Sequence, residues 1–183
     1  DLKNNSMSFN LDIPAGTSIE LQMKSHWNIE QDYDYARLLV NGVAIEGNYT
    51  KSTNIYYATI VNFISGISAD LMGASGVEGW VDLTFDLSTY SGSSVTITFE
   101  YVTDPAVVEY GFVVDDINLV VDGGSVYFDG AEVSPGPMSF SGFTKIESSR
   151  PELVQNYWVQ MRSYNDNVPL VDSVDTGLES RDY

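Results

Sequence analysis

Hydrophobic residues recur at every second position in one short run after another. Val81, Leu83 and Phe85 alternate with polar residues in WVDLTFDL, and Val95, Ile97 and Phe99 do so in SVTITFEYV. A period of two puts each set on one face of a strand, against one core. SMSFNLDI and SIELQMKSHWNI carry the same signature on either side of PAGT, and are expected to be two strands joined by a hairpin-like turn. YARLLV and VAIEG flank Asn41-Gly42, the pair favoured in type I′ turns, which predicts another hairpin. IYYATIVNFI is expected to be a strand and the Gly- and Ser-rich SGISADLMGASGVEG a long loop. No long stretch holds a helical period. Strands at this spacing predict a mostly-β chain built on an antiparallel, jelly-roll-like β-sandwich.

Two runs interrupt the pattern with acids. GFVVDDINLVV, Gly111 to Val121, is almost continuously apolar yet holds Asp115 and Asp116 at its centre. Read as a regular strand, it puts Asp115 on the face of Val113, Ile117, Leu119 and Val121, the expected core face, with Asp116 opposite. A bare carboxylate on a core face costs several kcal/mol, so Asp115 calls for a cation, a metal or strong donors. Read the same way, Asn28 to Val40 as one strand aligns Glu30, Asp32 and Asp34 with Ala36, Leu38 and Val40. Calcium, which takes roughly six to eight oxygen ligands, is the expected neutraliser. Asp104, in YVTD, is a further candidate ligand, although an Asp before Pro also starts turns.

Composition narrows the chemistry. Among 183 residues there are 26 acidic and 8 basic side chains, a net charge of −18. That field disfavours nucleic acid and anionic membrane and favours divalent cations. There is no cysteine, hence no disulfide or thiolate site. The single histidine, His26, is expected to be a partly exposed strand residue, since zinc needs more His or Cys ligands than the chain has. Among so many acids, pairs spaced for glycoside hydrolysis arise by chance, and no catalytic role is expected. Trp80 is expected to pack in the core or close its end. Trp27, Trp80 and Trp158, with Tyr33, Tyr35, Tyr56, Tyr57 and Tyr90, would make a sugar-stacking surface only if exposed side by side. No run reaches the ~20 apolar residues of a membrane span. The start at Asp1, without Met or signal peptide, reads as a processed or excised piece.

Composition shifts at Asp122-Gly123-Gly124. The sandwich is therefore assigned to residues 1–124 and a small β-rich C-terminal extension to 125–183. LVQNYWVQMRSY reads as a strand of that extension, and NDNVPLVDSVDTGLESRDY as an acidic loop or tail without a period.

Together, WNIEQDYDYARLLVNG, GWVDLTFDLSTYSGSSVTITFEYVTD and GFVVDDINL resemble the non-catalytic β-sandwich of secreted bacterial metallopeptidases of the immune inhibitor A family. FDGAEV, GFTKI and NYWVQMRSYNDNVPLVDSVDTGL resemble the segment that follows it, with Gln160 and Met161 where the family has Glu and an aromatic residue. The sandwich motifs are shared with MAM-like domains and carbohydrate-binding modules; the later segment favours the peptidase family. No His-Glu-x-x-His occurs in the chain. The resemblance implies an extracellular, calcium-stabilised accessory domain of a zinc metallopeptidase, packed against the parent's catalytic domain and supporting folding, autoprocessing or substrate engagement. In similar jelly rolls a calcium joins an early strand to the last one, which would bring Glu30 or Asp34 against Asp115 or Asp116. The alternative is a β-sandwich module binding carbohydrate or a host surface protein.

Overall fold

The computed structural model describes residues 3–107, 109–131 and 138–146, with the backbone of 158–165 and 168–175. The described residues form twelve strands: β1 (Lys3–Asp12), β2 (Ile19–Ile29), β3 (Tyr35–Val40), β4 (Val43–Ala44), β5 (Gly66–Ile67), β6 (Val81–Asp86), β7 (Ser94–Thr103), β8 (Gly111–Val121), β9 (Gly124–Asp129), β10 (Ser139–Ser141), β11 (Trp158–Asn165) and β12 (Val168–Asp175). One antiparallel sheet runs β10-β1-β7-β3-β4. The other runs β9-β8-β2, with β6 and β5 in succession along the far edge of β2. This is the mostly-β sandwich that the alternation predicts.

The core lies between the sheets. Val95, Ile97 and Phe99 of β7 and Val81, Leu83 and Phe85 of β6 are all at most 3% exposed, each set on one face of its strand. Phe9 of β1 and Tyr127 of β9 stack across the gap, centroids 5.8 Å apart. The expected Asn-Gly hairpin forms between β3 and β4, with φ of +51° at Asn41 and +81° at Gly42, as a type I′ turn requires.

Several expectations are corrected. β1 and β2 do not form a hairpin: β1 pairs with β7 and β10, β2 with β5, β6 and β8. Both are apolar on one face, so each serves a different sheet and the link between them crosses the sandwich. Asp122 holds that crossing, accepting from the Thr17 and Ser18 N–H groups at 2.9 Å each and from the Thr17 hydroxyl at 2.8 Å. These donors hold its carboxyl below the usual range.

IYYATIVNFI is not a strand. Asn54 Oδ1 accepts from the Tyr56 and Tyr57 N–H groups at 2.8 and 2.9 Å, closing a turn at its start. Phe63 and Ile64 are buried in succession rather than alternately. The sandwich also continues past residue 124. β9 pairs with β8 and β10 with β1, and the first compact unit is Asp1–Lys145. The second unit, Ile146–Tyr183, contains an antiparallel pair, β11 with β12. The acidic stretch expected to lack structure thus supplies a strand, Val168–Asp175.

A candidate metal centre at the β2–β3 turn

Asn28 to Val40 is not one strand. β2 stops at Ile29, and the chain turns through residues 30–34 before β3 starts at Tyr35. The turn is closed by Asp34 N–H donating to the Glu30 carbonyl at 3.2 Å. Asp32 adopts φ +65°, a left-handed conformation that Asp tolerates better than most residues. Its N–H donates to the Ser65 hydroxyl at 2.7 Å, and that hydroxyl donates to the Glu30 carbonyl at 3.2 Å. Its carbonyl accepts from Asn54 Nδ2 at 2.9 Å. Both of its carboxylate oxygens are engaged, Oδ1 by Lys51 Nζ at 3.0 Å and Oδ2 by Gln31 Nε2 at 3.1 Å. Asp32 therefore shapes the turn and is not a member of the acid group.

Register explains why the neighbouring acids converge. β3 and β7 pair Tyr35 with Val102, so the residue before β3 and the segment after β7 meet at one end of their sheet. One carboxylate oxygen each from Glu30, Asp34 and Asp104 lie within 4.8 Å of one another. Asp34 is 1% exposed. Its Oδ1 accepts from the Asp104 N–H at 2.7 Å, while its Oδ2 and Oε2 of Glu30 are buried without a hydrogen-bond partner. Asp104 Oδ1 accepts from the Ala106 N–H at 2.7 Å, the turn role expected of an Asp before Pro.

The electrostatics are unfavourable as they stand. Removal from water raises the Glu30 carboxyl above its usual range, and the Asp104, Asp34 and Glu109 carboxylates push it the same way. Removal from water also raises Asp34, outweighing the Asp104 N–H that favours its charged form. Burial, followed by the charges of Asp34 and Glu109, pushes the Tyr101 phenol up to about 12. Buried polar atoms in native proteins are almost always satisfied, and two orphan oxygens in one acid group require an explanation.

A family model described as "Immune inhibitor A-like, MAM domain" matches residues 1–148. The chain belongs to that family. It is 42% identical over 178 residues to the pre-pro-metalloprotease PrtV of Vibrio cholerae serotype O1, covering 97% of this chain and 17% of that relative. It is 30% identical over 154 residues to Immune inhibitor A of Bacillus thuringiensis subsp. alesti, covering 84% of this chain and 20% of the relative. Bacillopeptidase F of Bacillus subtilis is 28% identical over 120 residues, 63% of this chain and 7% of that protein. The chain thus spans about a fifth or less of the curated relatives it matches.

The other two sequence candidates lie elsewhere in the MAM domain. Asp115 stands opposite Lys24 of β2, six residues before Glu30, or roughly 20 Å along the strand at about 3.3 Å per residue. A β-bulge corrects the face assigned to it. Between the pairs Gln22–Asn118 and Lys24–Asp115, only Met23 stands opposite Asp116 and Ile117. Asp116 takes φ +51° and donates its N–H to Asp115 Oδ1 at 2.8 Å. Phe112 and Val114 meet the core before the bulge, Ile117 and Leu119 after it. The extra residue shifts the phase, so Asp115 does not share the core face. Asp115 and Asp116 are thus not brought to Glu30 or Asp34.

Trp80 and His26 also differ from expectation. His26 is 4% exposed, covered on the outer face of its sheet by Trp80 edge-on at 4.3 Å and Tyr110 stacked at 5.2 Å. Trp80 is half-buried on that face rather than in the core, and its Nε1 donates to Glu78 at 3.1 Å. Loops from distant parts of the sequence supply this cover, so local alternation contained no sign of it. Trp27 and Tyr35 are buried; the Trp158 side chain lies outside the described residues. Sequence reasoning also missed Ser65, Lys51 and Asn54, which hold the turn. They are 33, 19 and 22 residues from Asp32, and nothing in their local sequence marks them.

Proposed function

We propose that this MAM domain is a non-catalytic, calcium-stabilised accessory domain of a secreted zinc metallopeptidase, supporting folding, autoprocessing or substrate engagement by the parent's catalytic domain. Membership in the family and the metalloproteases among its relatives support the accessory role. One observation carries the calcium reading: Asp34, 1% exposed, leaves Oδ2 unpartnered beside Glu30 and Asp104. The donor set is all oxygen, which suits a hard cation such as calcium and does not suit zinc. Glu30, Asp34 and Asp104 would hold the ion, tying the β2–β3 turn to the segment after β7.

The effect on the parent is thermodynamic linkage. An ion that binds only the folded state stabilises it by about 2.7 kcal/mol at a hundredfold excess over Kd. Extracellular calcium would hold this end of the sandwich closed, and chelation would loosen it. Thermal unfolding of the metal-stripped chain during calcium titration, with magnesium as control, tests the reading. A calcium-specific rise in Tm of several degrees is expected. A flat response, with protease resistance unchanged in EDTA, would overturn it.

A further inference from the structure

Tyr33 and Tyr56 stack on the protein surface, ring centroids 4.2 Å apart and planes 20° from parallel. They are 36% and 52% exposed, and Ile55, beside Tyr56 in sequence, is 74% exposed. Exposed apolar side chains are commonplace singly; what sets these apart is how firmly they are held. Asn54 is 6% exposed, and its carboxamide joins the two segments that carry the rings. Nδ2 donates to the Asp32 carbonyl, next to Tyr33, while Oδ1 accepts the N–H groups of Tyr56 and Tyr57. Ser65 and the Lys51–Asp32 ion pair fix the turn from the other side.

A rigid aromatic pair left facing water is pre-organised for a ligand with a flat apolar face, because little ordering entropy remains to be lost on binding. We propose that Tyr56, backed by the stacked ring of Tyr33, forms a stacking platform for a neutral polysaccharide, the C–H face of one sugar ring lying on the outer face of the pair. Size and charge select this occupant. One outer ring face matches about one sugar unit, whereas a stable protein interface needs about 800 Å² on each side. The acid group nearby, Glu30 with Asp34 and Asp104, sets up a negative field that reaches Tyr33 and disfavours anionic polymers. The proposal does not require calcium, because Asn54, Ser65 and Lys51 hold the turn.

Depletion of the 183-residue chain by insoluble chitin, cellulose and β-1,3-glucan tests the platform, with heparin beads as the anionic control. Retention on at least one neutral polymer is expected, reduced roughly tenfold in Y33A/Y56A, a loss of about 1.4 kcal/mol. Tyr56→Trp, which keeps an aromatic face, should preserve retention, and unchanged cooperative unfolding of Y33A/Y56A would show that its fold is intact. Failure of the wild-type chain to be retained on all three polymers, or equal retention of Y33A/Y56A, would overturn the proposal. Preferential retention on heparin would do the same.

Discussion

The backbone N–H of Asp104 donates to Oδ1 of Asp34 at 2.7 Å, across 70 residues of sequence. This bond joins the turn after β2 to the segment after β7, and it occupies one oxygen of a carboxylate whose other oxygen is buried and unpartnered. The geometry separates two roles of Asp34. An Asn can still accept the Asp104 N–H, but it cannot supply the second anionic oxygen or the charge.

Asp34→Asn is therefore expected to abolish the calcium-dependent rise in Tm. For a chain of this size, about 2.7 kcal/mol of linkage corresponds to roughly 5–11 °C. In EDTA the same variant should unfold at or above the wild-type temperature, since a buried, uncompensated charge has been removed. Differential scanning calorimetry with and without calcium reads both effects. Calcium stabilisation that persists in Asp34→Asn would remove Asp34 from the ion's ligands.

The raised carboxyls of Glu30 and Asp34 give the metal-free domain a characteristic pH dependence. Their contribution is complete below the ordinary values of 4.5 and 3.8, where folded and unfolded chains are both protonated. It is lost as pH rises through the higher folded values, because the unfolded chain ionises first. Asp86 and Asp122, whose carboxyls are lowered, act in the opposite sense: they contribute above 3.8 and that contribution disappears as pH falls. Subtraction isolates the first effect. Relative to wild type in EDTA, E30Q/D34N should gain stability as pH rises from about 4 towards neutrality, measured by urea unfolding at each pH. A difference that is flat with pH would contradict the electrostatic account of the site.

The bulge at Asp116 can be probed without touching the acid group. With φ at +51°, Asp116→Gly is expected to be tolerated, while Asp116→Val should cost about 1–2 kcal/mol from a β-branched side chain in the left-handed region. Neither change, nor Asp115→Asn, should alter the calcium-dependent shift in Tm. A reduced shift in any of them would place a calcium ligand on β8.

Gly79 seats the loop before β6 against the turn at Ser68–Asp70. It has φ +73°, and a Cβ there would lie 2.4 Å from Ala69 Cα. Gly79→Ala should destabilise by about 1–3 kcal/mol through strain and the shift this contact forces. Met72 and Val77, 95% and 102% exposed, sit on the same loop. Limited proteolysis followed by mass spectrometry should therefore show faster cleavage between residues 71 and 79 than in wild type.

Much of the sandwich was legible in the chain because its causes are local. Alternation in β6 and β7 faithfully marks the buried sets, and Asn41-Gly42 forms its hairpin because φ at those two positions depends on those two residues. Sequence also marked Glu30, Asp34 and Asp104 as acids in need of a partner. It could not separate them from Asp32, Asp115 and Asp116, since what distinguishes these six is contact made at a distance. Lys51, Gln31 and Asn54 satisfy Asp32, and one extra residue opposite Met23 turns Asp115 off the core face. The register of β3 on β7 delivers Asp104 to Asp34. The burial of His26 likewise depends on two loops folding over one sheet face. Local periodicity determined the strands and the core they enclose; register, bulge and loop packing decided which carboxylates meet, because those depend on free energies summed over residues far apart in the chain.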